Sequence, residues 1–322
     1  MKKYEHTSPT SVQDAVKLLS AQNARACAGG TDLIGIMKEG LLPTDRLVDL
    51  KTIKGLDYIK EDGGELKIGA LTKLSTIAAS DVVNTKAPAL AEAAARVASP
   101  QIRNMGTLGG NMAQKVRCWY FREFERADCY KRNGNYCYAI LGLSDLHAIF
   151  DGAACFAVQP SDTSTALSAL GATVVINGKD GERNVAIDDF YIGPDVDYLR
   201  ETVLAQDDII TEVRIPASAL GRPSVFIKAA PRKTIDFARA SVAVLIDANP
   251  VGSIRLTLGA VAPTPHRAKD AEDFLKGKSL SADNIAQAAT LAVKNAKPLA
   301  TNGYKVDLVQ GLVRQALTRL AS

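Results

Sequence analysis

The sequence predicts an α+β chain in two parts, an α/β first part followed by a smaller part of sheet and helices. Three observations predict it. The chain has 322 residues, more than the ~100–200 of a usual single domain. Its first hundred residues alternate short strand-like and helix-like runs. A break at Pro216 and Gly221-Arg222-Pro223 is followed by two strand-like runs and a long helical tail.

The elements follow in order. Thr10 or Ser11 caps a helix whose apolar residues Val12, Ala15, Leu18 and Leu19 fall at helical spacing. A strand ends near Cys27 and runs into Ala28-Gly29-Gly30-Thr31-Asp32, with a helical turn from Leu33 to Met37. Strands are predicted at 46–50 and 65–71, and helices at 74–79 and 86–98. Gly106-Thr107-Leu108-Gly109-Gly110-Asn111 breaks the pattern. Residues from about 115 to 155 are dense in Cys, Tyr, Arg and Asn with weak periodicity, an inserted loop held by something other than a core. A helix at 166–172 and a strand at 172–177 follow. Beyond the break come strands at 240–246 and 254–261 and helices at about 266–276, 281–296 and 303–321.

Composition narrows the function. Hydrophobic residues make up 47% and charged residues 23%, which excludes disorder over most of the chain. The 39 basic and 35 acidic residues leave a net charge of +4 without a basic stripe, so no nucleic-acid partner is expected. No apolar run reaches the ~18–20 residues of a membrane span. The start, MKKYEHTSPT, lacks the apolar stretch of a secretory signal. The expected compartment is cytoplasmic.

Two short glycine loops can carry chemistry. Glycine lets a backbone approach a phosphate closely, and the amides of the turn can donate to it; each loop taken alone reads first as a plain turn. Neither is GxGxxG, and Gly277-Lys278-Ser279 lacks the first glycine of a P-loop because Glu272 stands there. Four of the five cysteines, Cys118, Cys129, Cys137 and Cys155, fall in the insert. In a reducing compartment such clustering favours metal or redox chemistry over disulfides. Their spacing contains no C-x₂₋₄-C pair, which weighs against zinc. Iron–sulfur ligation, zinc and free thiols remain open from spacing alone. The three histidines form no HExxH motif, so no catalytic zinc site is expected.

With both loops in view, the chain resembles the FAD-binding medium subunit of the xanthine oxidase family of molybdenum enzymes. The likeness rests on CAGGTDL (27–33), IGALTKL (68–74), SPQIRNMGTLGGN (99–111), QPSDTSTALSALGATVVI (159–176), DDIITEVRIP (207–216) and LGAVAPTPHRAKDAE (258–272). The resemblance implies a two-part α/β FAD-binding domain over 1–220, with subdomains of about 1–55 and 56–220. A smaller α+β C-terminal domain over 221–322 would follow. It implies that Ala28, Gly29, Gly30, Thr31, Asp32 and Leu33 wrap the FAD pyrophosphate, and that Gly109, Gly110 and Asn111, with Thr107 in the same loop, hold the phosphates or the ribityl side. Asp162 would contact the sugar-phosphate region, Ile210 the isoalloxazine edge, and Lys228 the flavin's pyrimidine end, where a cation would balance the charge of the reduced ring.

The insert marks a departure from most members. It resembles the branches of aldehyde oxidoreductase and 4-hydroxybenzoyl-CoA reductase type, which carry one [4Fe–4S] cluster at this place. By that resemblance Cys118, Cys129, Cys137 and Cys155 are the ligands, with Trp119, Tyr120, Phe121, Tyr136 and Tyr138 either shielding the cluster or packing the loop. The expected function is electron transfer beside a molybdenum-cofactor large subunit and a [2Fe–2S] small subunit, to or from an external acceptor or donor. Substrate chemistry, and so any catalytic residue, would lie on the partner chain. The alternative is a subunit with FAD alone, its cysteine loop structural or zinc-bound.

Overall fold

Three sheets organise the chain, which the computed structural model describes over residues 3–122 and 128–322. The first is parallel and three-stranded. It contains β1 (Glu5–Thr7), β2 (Ala24–Cys27) and β3 (Arg46–Asp49) in the order β1-β3-β2. The helix Val12–Leu19 covers it. Ser11 caps this helix by accepting from the Asp14 amide, and Ala15, Val16 and Leu19 are buried against Val48 and Leu50. The same cluster takes in Leu71 and Ile209, which joins the first sheet to the second.

The second sheet is antiparallel. It contains β4 (Ile59–Asp62), β5 (Glu65–Gly69), β6 (Thr173–Gly178), β7 (Gly181–Ala186) and β8 (Ile209–Ile215) in the order β4-β5-β8-β6-β7. Gly69 ends β5 where a Cβ would lie 2.3 Å from the Leu56 carbonyl oxygen, so only glycine fits the crossing. The helices Leu74–Ala79, Pro88–Ala95 and Asp162–Leu170 pack on this sheet in one core with Leu66, Ile68, Val174 and Val213. All nine residues of Asp162–Leu170 are buried, because the helix also packs on the third sheet.

That third sheet begins after Pro216 and Pro223. It contains β9 (Ser224–Ala229), β10 (Ala240–Ile246), β11 (Ile254–Gly259) and β12 (His266–Arg267), antiparallel in the order β12-β11-β10-β9. The helices Lys269–Leu275, Ala282–Leu291 and Tyr304–Ala321 bury their apolar faces on it. Among the described residues, no helix is long and apolar enough to cross a membrane.

Several expected elements shift. His266 and Arg267 pair with β11 as an edge strand rather than opening a helix. The helix expected at 166–172 starts at Asp162, because Ser161 supplies its cap by accepting from the Ser164 amide. The expected 86–98 helix spans Pro88–Ala95, with a separate turn Asp81–Lys86 before it; Pro88 favours a helix start rather than a helix interior.

Among its described residues the insert has little regular structure, Trp119–Arg122 and the tight turn Tyr130–Arg132. Polar ties hold it. Asp32 accepts from the Lys115 amide at 2.8 Å and pairs with Arg117 and Arg122, each at 2.9 Å. Glu201 pairs with both Lys115 and Lys131. The far end of the insert joins the second part, where the Ile149 amide donates to the Val261 carbonyl at 2.8 Å.

Candidate functional site

The first glycine loop leaves β2 and turns into the helix Leu33–Lys38. Gly30 has φ +71°, a left-handed conformation that suits glycine. Among the described residues, nothing accepts a hydrogen bond from the backbone amides of Gly29, Gly30, Thr31, Asp32 or Leu33. Five consecutive unpaired N–H groups around a left-handed residue make an anion-binding concavity. They line a cleft of about 760 Å³, together with Ala28, Gly106, Thr107, Gly110, Asn111, Arg117 and Phe237.

The second loop meets the first backbone to backbone, since a Cβ on Gly29 would lie 2.0 Å from the Met105 carbonyl oxygen. Its amides are differently employed. Leu108 donates to the Thr72 carbonyl at 2.9 Å, Gly109 to the Ala70 carbonyl at 2.9 Å, and Asn111 to the Thr107 carbonyl at 2.9 Å. The Gly110 amide donates to Thr107 Oγ1 at 3.2 Å. Gly109 is buried and does not line the cleft. Asn111 Oδ1 accepts from the hydroxyls of Ser161 and Thr163, both at 2.7 Å. The amides of this loop are thus paired within the protein, while Thr107, Gly110 and Asn111 still line the cleft. The loop walls and braces the cleft, because its donors are spent on the protein.

Three other residues expected at the cofactor lie outside the lining of the cleft. Asp162 and Lys228 do not line the cleft. They form a buried ion pair at 2.6 Å, and the Lys228 ammonium also donates to the Arg96 carbonyl at 3.0 Å. Burial pushes the Asp162 carboxyl up, with Lys228 opposing. Ile210 is buried in β8 within the main core. Each site residue was readable as polar, glycine or apolar, but its partner was not. Asp32 lines the cleft as expected, yet its carboxylate is neutralised by Arg117 and Arg122. Those two arginines and Glu201 went unnoticed in the sequence because their partners lie 70 or more positions away. Burial alone would raise the Glu201 carboxyl, but Lys115 and Lys131 hold it below the usual carboxylate range.

The four insert cysteines are all free thiols. Cys129 and Cys155 are buried with Val116, Phe121 and Ala157, and Cys118 packs against them. Cys137 interacts electrostatically with Cys129 and Cys155. Burial pushes the Cys118 thiol up to about 12 and that of Cys155 up to about 11, and lifts Cys129 as well. Three of the sulfurs face backbone amides: Cys118 those of Phe121 and Tyr120, Cys129 that of Lys131, and Cys155 that of Ala157 at 3.4 Å. Such donors favour thiolates in a metal-bound state. Among the described residues, no three His, Cys, Asp or Glu side chains converge closely enough to hold a single metal ion. Cys27 lies apart, buried with Met37 and Leu47. The insert aromatics pack on one another, with Tyr120 stacked on Tyr138 at 5.7 Å and Tyr136 edge-on to Tyr138 at 5.2 Å.

The chain's relatives bear on this geometry. Residues 2–218 match the family described as the FAD binding domain in molybdopterin dehydrogenase. Residues 225–320 match the CO dehydrogenase flavoprotein C-terminal domain. The aldehyde oxidoreductase FAD-binding subunit PaoB of Escherichia coli is 34% identical over 98% of this chain and 96% of its own. The carbon monoxide dehydrogenase medium chain of Hydrogenophaga pseudoflava is 30% identical, also over 98% of this chain and 96% of its own. Among solved structures, the reconstituted CO dehydrogenase from Oligotropha carboxidovorans aligns with TM-score 0.78 at 28% identity, covering 99% of this chain and 98% of that one.

Proposed function

This chain belongs to the FAD-binding medium subunits of the molybdenum hydroxylase family, and from that premise we propose that it is the electron-transfer subunit of such a complex, carrying one [4Fe–4S] cluster besides FAD. The observation that carries the flavin part is the row of unpaired amides from Gly29 to Leu33 in the cleft. These amides would hold the pyrophosphate. Arg117 and Arg122 keep the Asp32 carboxylate from repelling it. Thr107 and Gly110 would wall the opposite side, and Asn111 would keep that wall in register through Ser161 and Thr163. Bound FAD supplies two-electron exchange with release of single electrons. The buried Lys228–Asp162 pair and the core residue Ile210 would support the floor behind the cleft rather than touch the cofactor.

Support for the cluster comes from the packing of Cys118, Cys129 and Cys155 together, from the electrostatic interaction of Cys137 with Cys129 and Cys155, and from the amides aimed at the first three sulfurs. Zinc would need thiolates only ~3.8 Å apart, from tetrahedral bonds of about 2.3 Å. A four-iron cube holds its thiolates farther apart than a single ion does. Residues 1–220 would form the FAD domain and 221–322 the C-terminal domain. The relatives' names as medium chain or FAD-binding subunit support a multi-subunit complex, in which the partners would be a molybdenum-bearing large subunit and a [2Fe–2S] small subunit, with an external acceptor or donor.

The test is anaerobic purification with flavin, iron, sulfide and zinc counted on one sample. Flavin bands with four iron and four sulfide per chain are expected. In Cys129→Ser the iron and sulfide should drop while flavin stays. Flavin with no iron in the unaltered protein would leave FAD as the only redox group and the cysteine loop as a structural one.

A further inference from the structure

We propose that His147 donates a hydrogen bond from Nε2 to the Cys118 sulfur and thereby sets the reduction potential of the cluster. The inference rests on the [4Fe–4S] reading above. Nε2 lies 3.2 Å from Cys118 Sγ. A metal-bound thiolate only accepts hydrogen bonds, so the imidazole must carry its proton on Nε2. Nδ1 is buried without a partner among the described residues. As a bare lone pair it leaves no unsatisfied N–H behind. Among the described residues, His147 is the one side chain that hydrogen-bonds any of the four sulfurs.

The ring is held from three sides. It stacks on Tyr120 at 5.8 Å and meets Trp119 edge-on at 5.4 Å. Its residue is 3% exposed. Its amide donates to the Ser144 carbonyl at 2.8 Å. Its carbonyl accepts from Asn302 Nδ2 at 3.1 Å and Lys305 Nζ at 3.0 Å. Both of those residues are fully buried, and Lys305 also binds the Ala260 carbonyl at 2.8 Å. The C-terminal part of the chain therefore fixes a donor against a ligand of the insert. This is the arrangement in which an outer-shell hydrogen bond tunes a metal group. The corner also faces the flavin side. A cavity of about 270 Å³ lined by Cys118 and His147 shares Arg117, Ile235 and Phe237 with the cleft, and Arg117 lies over the Phe237 ring at 4.8 Å.

A hydrogen bond to the sulfur favours the more negative, reduced state, so its loss makes reduction harder. His147→Leu removes the donor, and His147→Gln restores an N–H of similar reach. Each full-length protein is purified anaerobically. Iron, sulfide and flavin are counted, and the cluster is titrated potentiometrically with detection by electron paramagnetic resonance. His147→Leu should keep four irons and its flavin. Its reduced-to-oxidised ratio should fall about tenfold at a given potential, a shift of ~59 mV for a one-electron couple. His147→Gln should lie near the unaltered protein. Four irons with an unchanged potential in His147→Leu would overturn the proposal and leave the cluster reading standing. No iron in the unaltered protein would overturn both. If His147→Leu loses iron, His147→Gln decides: iron retained at the original potential supports the donor role, and iron lost there too overturns it.

Discussion

The two glycine loops look alike in sequence and differ in what their backbones do. Each has paired glycines beside a hydroxyl and a polar side chain, Gly29-Gly30-Thr31-Asp32 in one and Thr107-Leu108-Gly109-Gly110-Asn111 in the other. In the first, the amides from Gly29 to Leu33 have no acceptor among the described residues. In the second, the amides from Leu108 to Asn111 are all paired within the protein. A buried or half-buried N–H must find an acceptor, so unpaired donors in a cleft point to a ligand, and paired ones do not. The glycines of the first loop permit a left-handed turn and close approach to Met105. Gly109 instead permits close packing on the end of β5, where a Cβ would lie 3.0 Å from that of Ala70. One loop leaves its amides unpaired among the described residues, and the other pairs them within the protein.

Three substitutions would break or sharpen that contrast. Gly29→Ala should have the largest effect, because its Cβ would sit 2.0 Å from the Met105 carbonyl oxygen and backbone cannot yield as a side chain does. A cost near the upper end of overpacking, ~3 kcal/mol, corresponds to a fall of roughly 100-fold in flavin affinity. Fluorescence titration with FAD reads it, and unchanged affinity would remove the binding role from the first loop. Gly109→Ala should cost about 1–2 kcal/mol of folding stability by overpacking while the folded protein keeps its flavin affinity. Urea unfolding and FAD titration on the same sample check both halves. Weaker flavin binding at unchanged stability would erase the distinction between the loops. Thr107→Val should have the smallest effect. It removes the acceptor for the Gly110 amide, an N-cap loss of about 1 kcal/mol. Flavin content should stay at one per chain, and a large loss of flavin would make Thr107 a direct contact.

Much of the frame was legible because it depends on neighbours in sequence. The Ser11 cap, the Leu74–Ala79 helix and the β10 and β11 strands follow from spacing and capping over a few residues. The clustering of four cysteines in a segment of weak periodicity was also visible, and three of them, Cys118, Cys129 and Cys155, pack in one cluster. The pairing of Asp162 with Lys228 was not legible. The sequence shows an acid opening a helix and a base on a strand 66 positions later, and each was assigned to the cofactor. Folding brings them 2.6 Å apart and buries both. Asp32 likewise read as part of a phosphate loop, whereas its carboxylate is the anchor of the insert through Lys115, Arg117 and Arg122. His147 was legible only as a histidine inside the cysteine-rich insert, with a packing or surface role the first reading, since its partners are Cys118 at 29 positions' distance and Asn302 and Lys305 from the other end of the chain.

The sequence by itself determined where the chain turns tightly, where helices start, and which segment is rich in thiols, because these depend on local dihedral preference and composition. Only the tertiary structure decided which amides stay free and which charges cancel. Hydrogen-bond and charge satisfaction is settled between segments distant in sequence, so the free donors of Gly29–Leu33 and the spent donors of Leu108–Asn111 become distinguishable only once the strands and loops are in place.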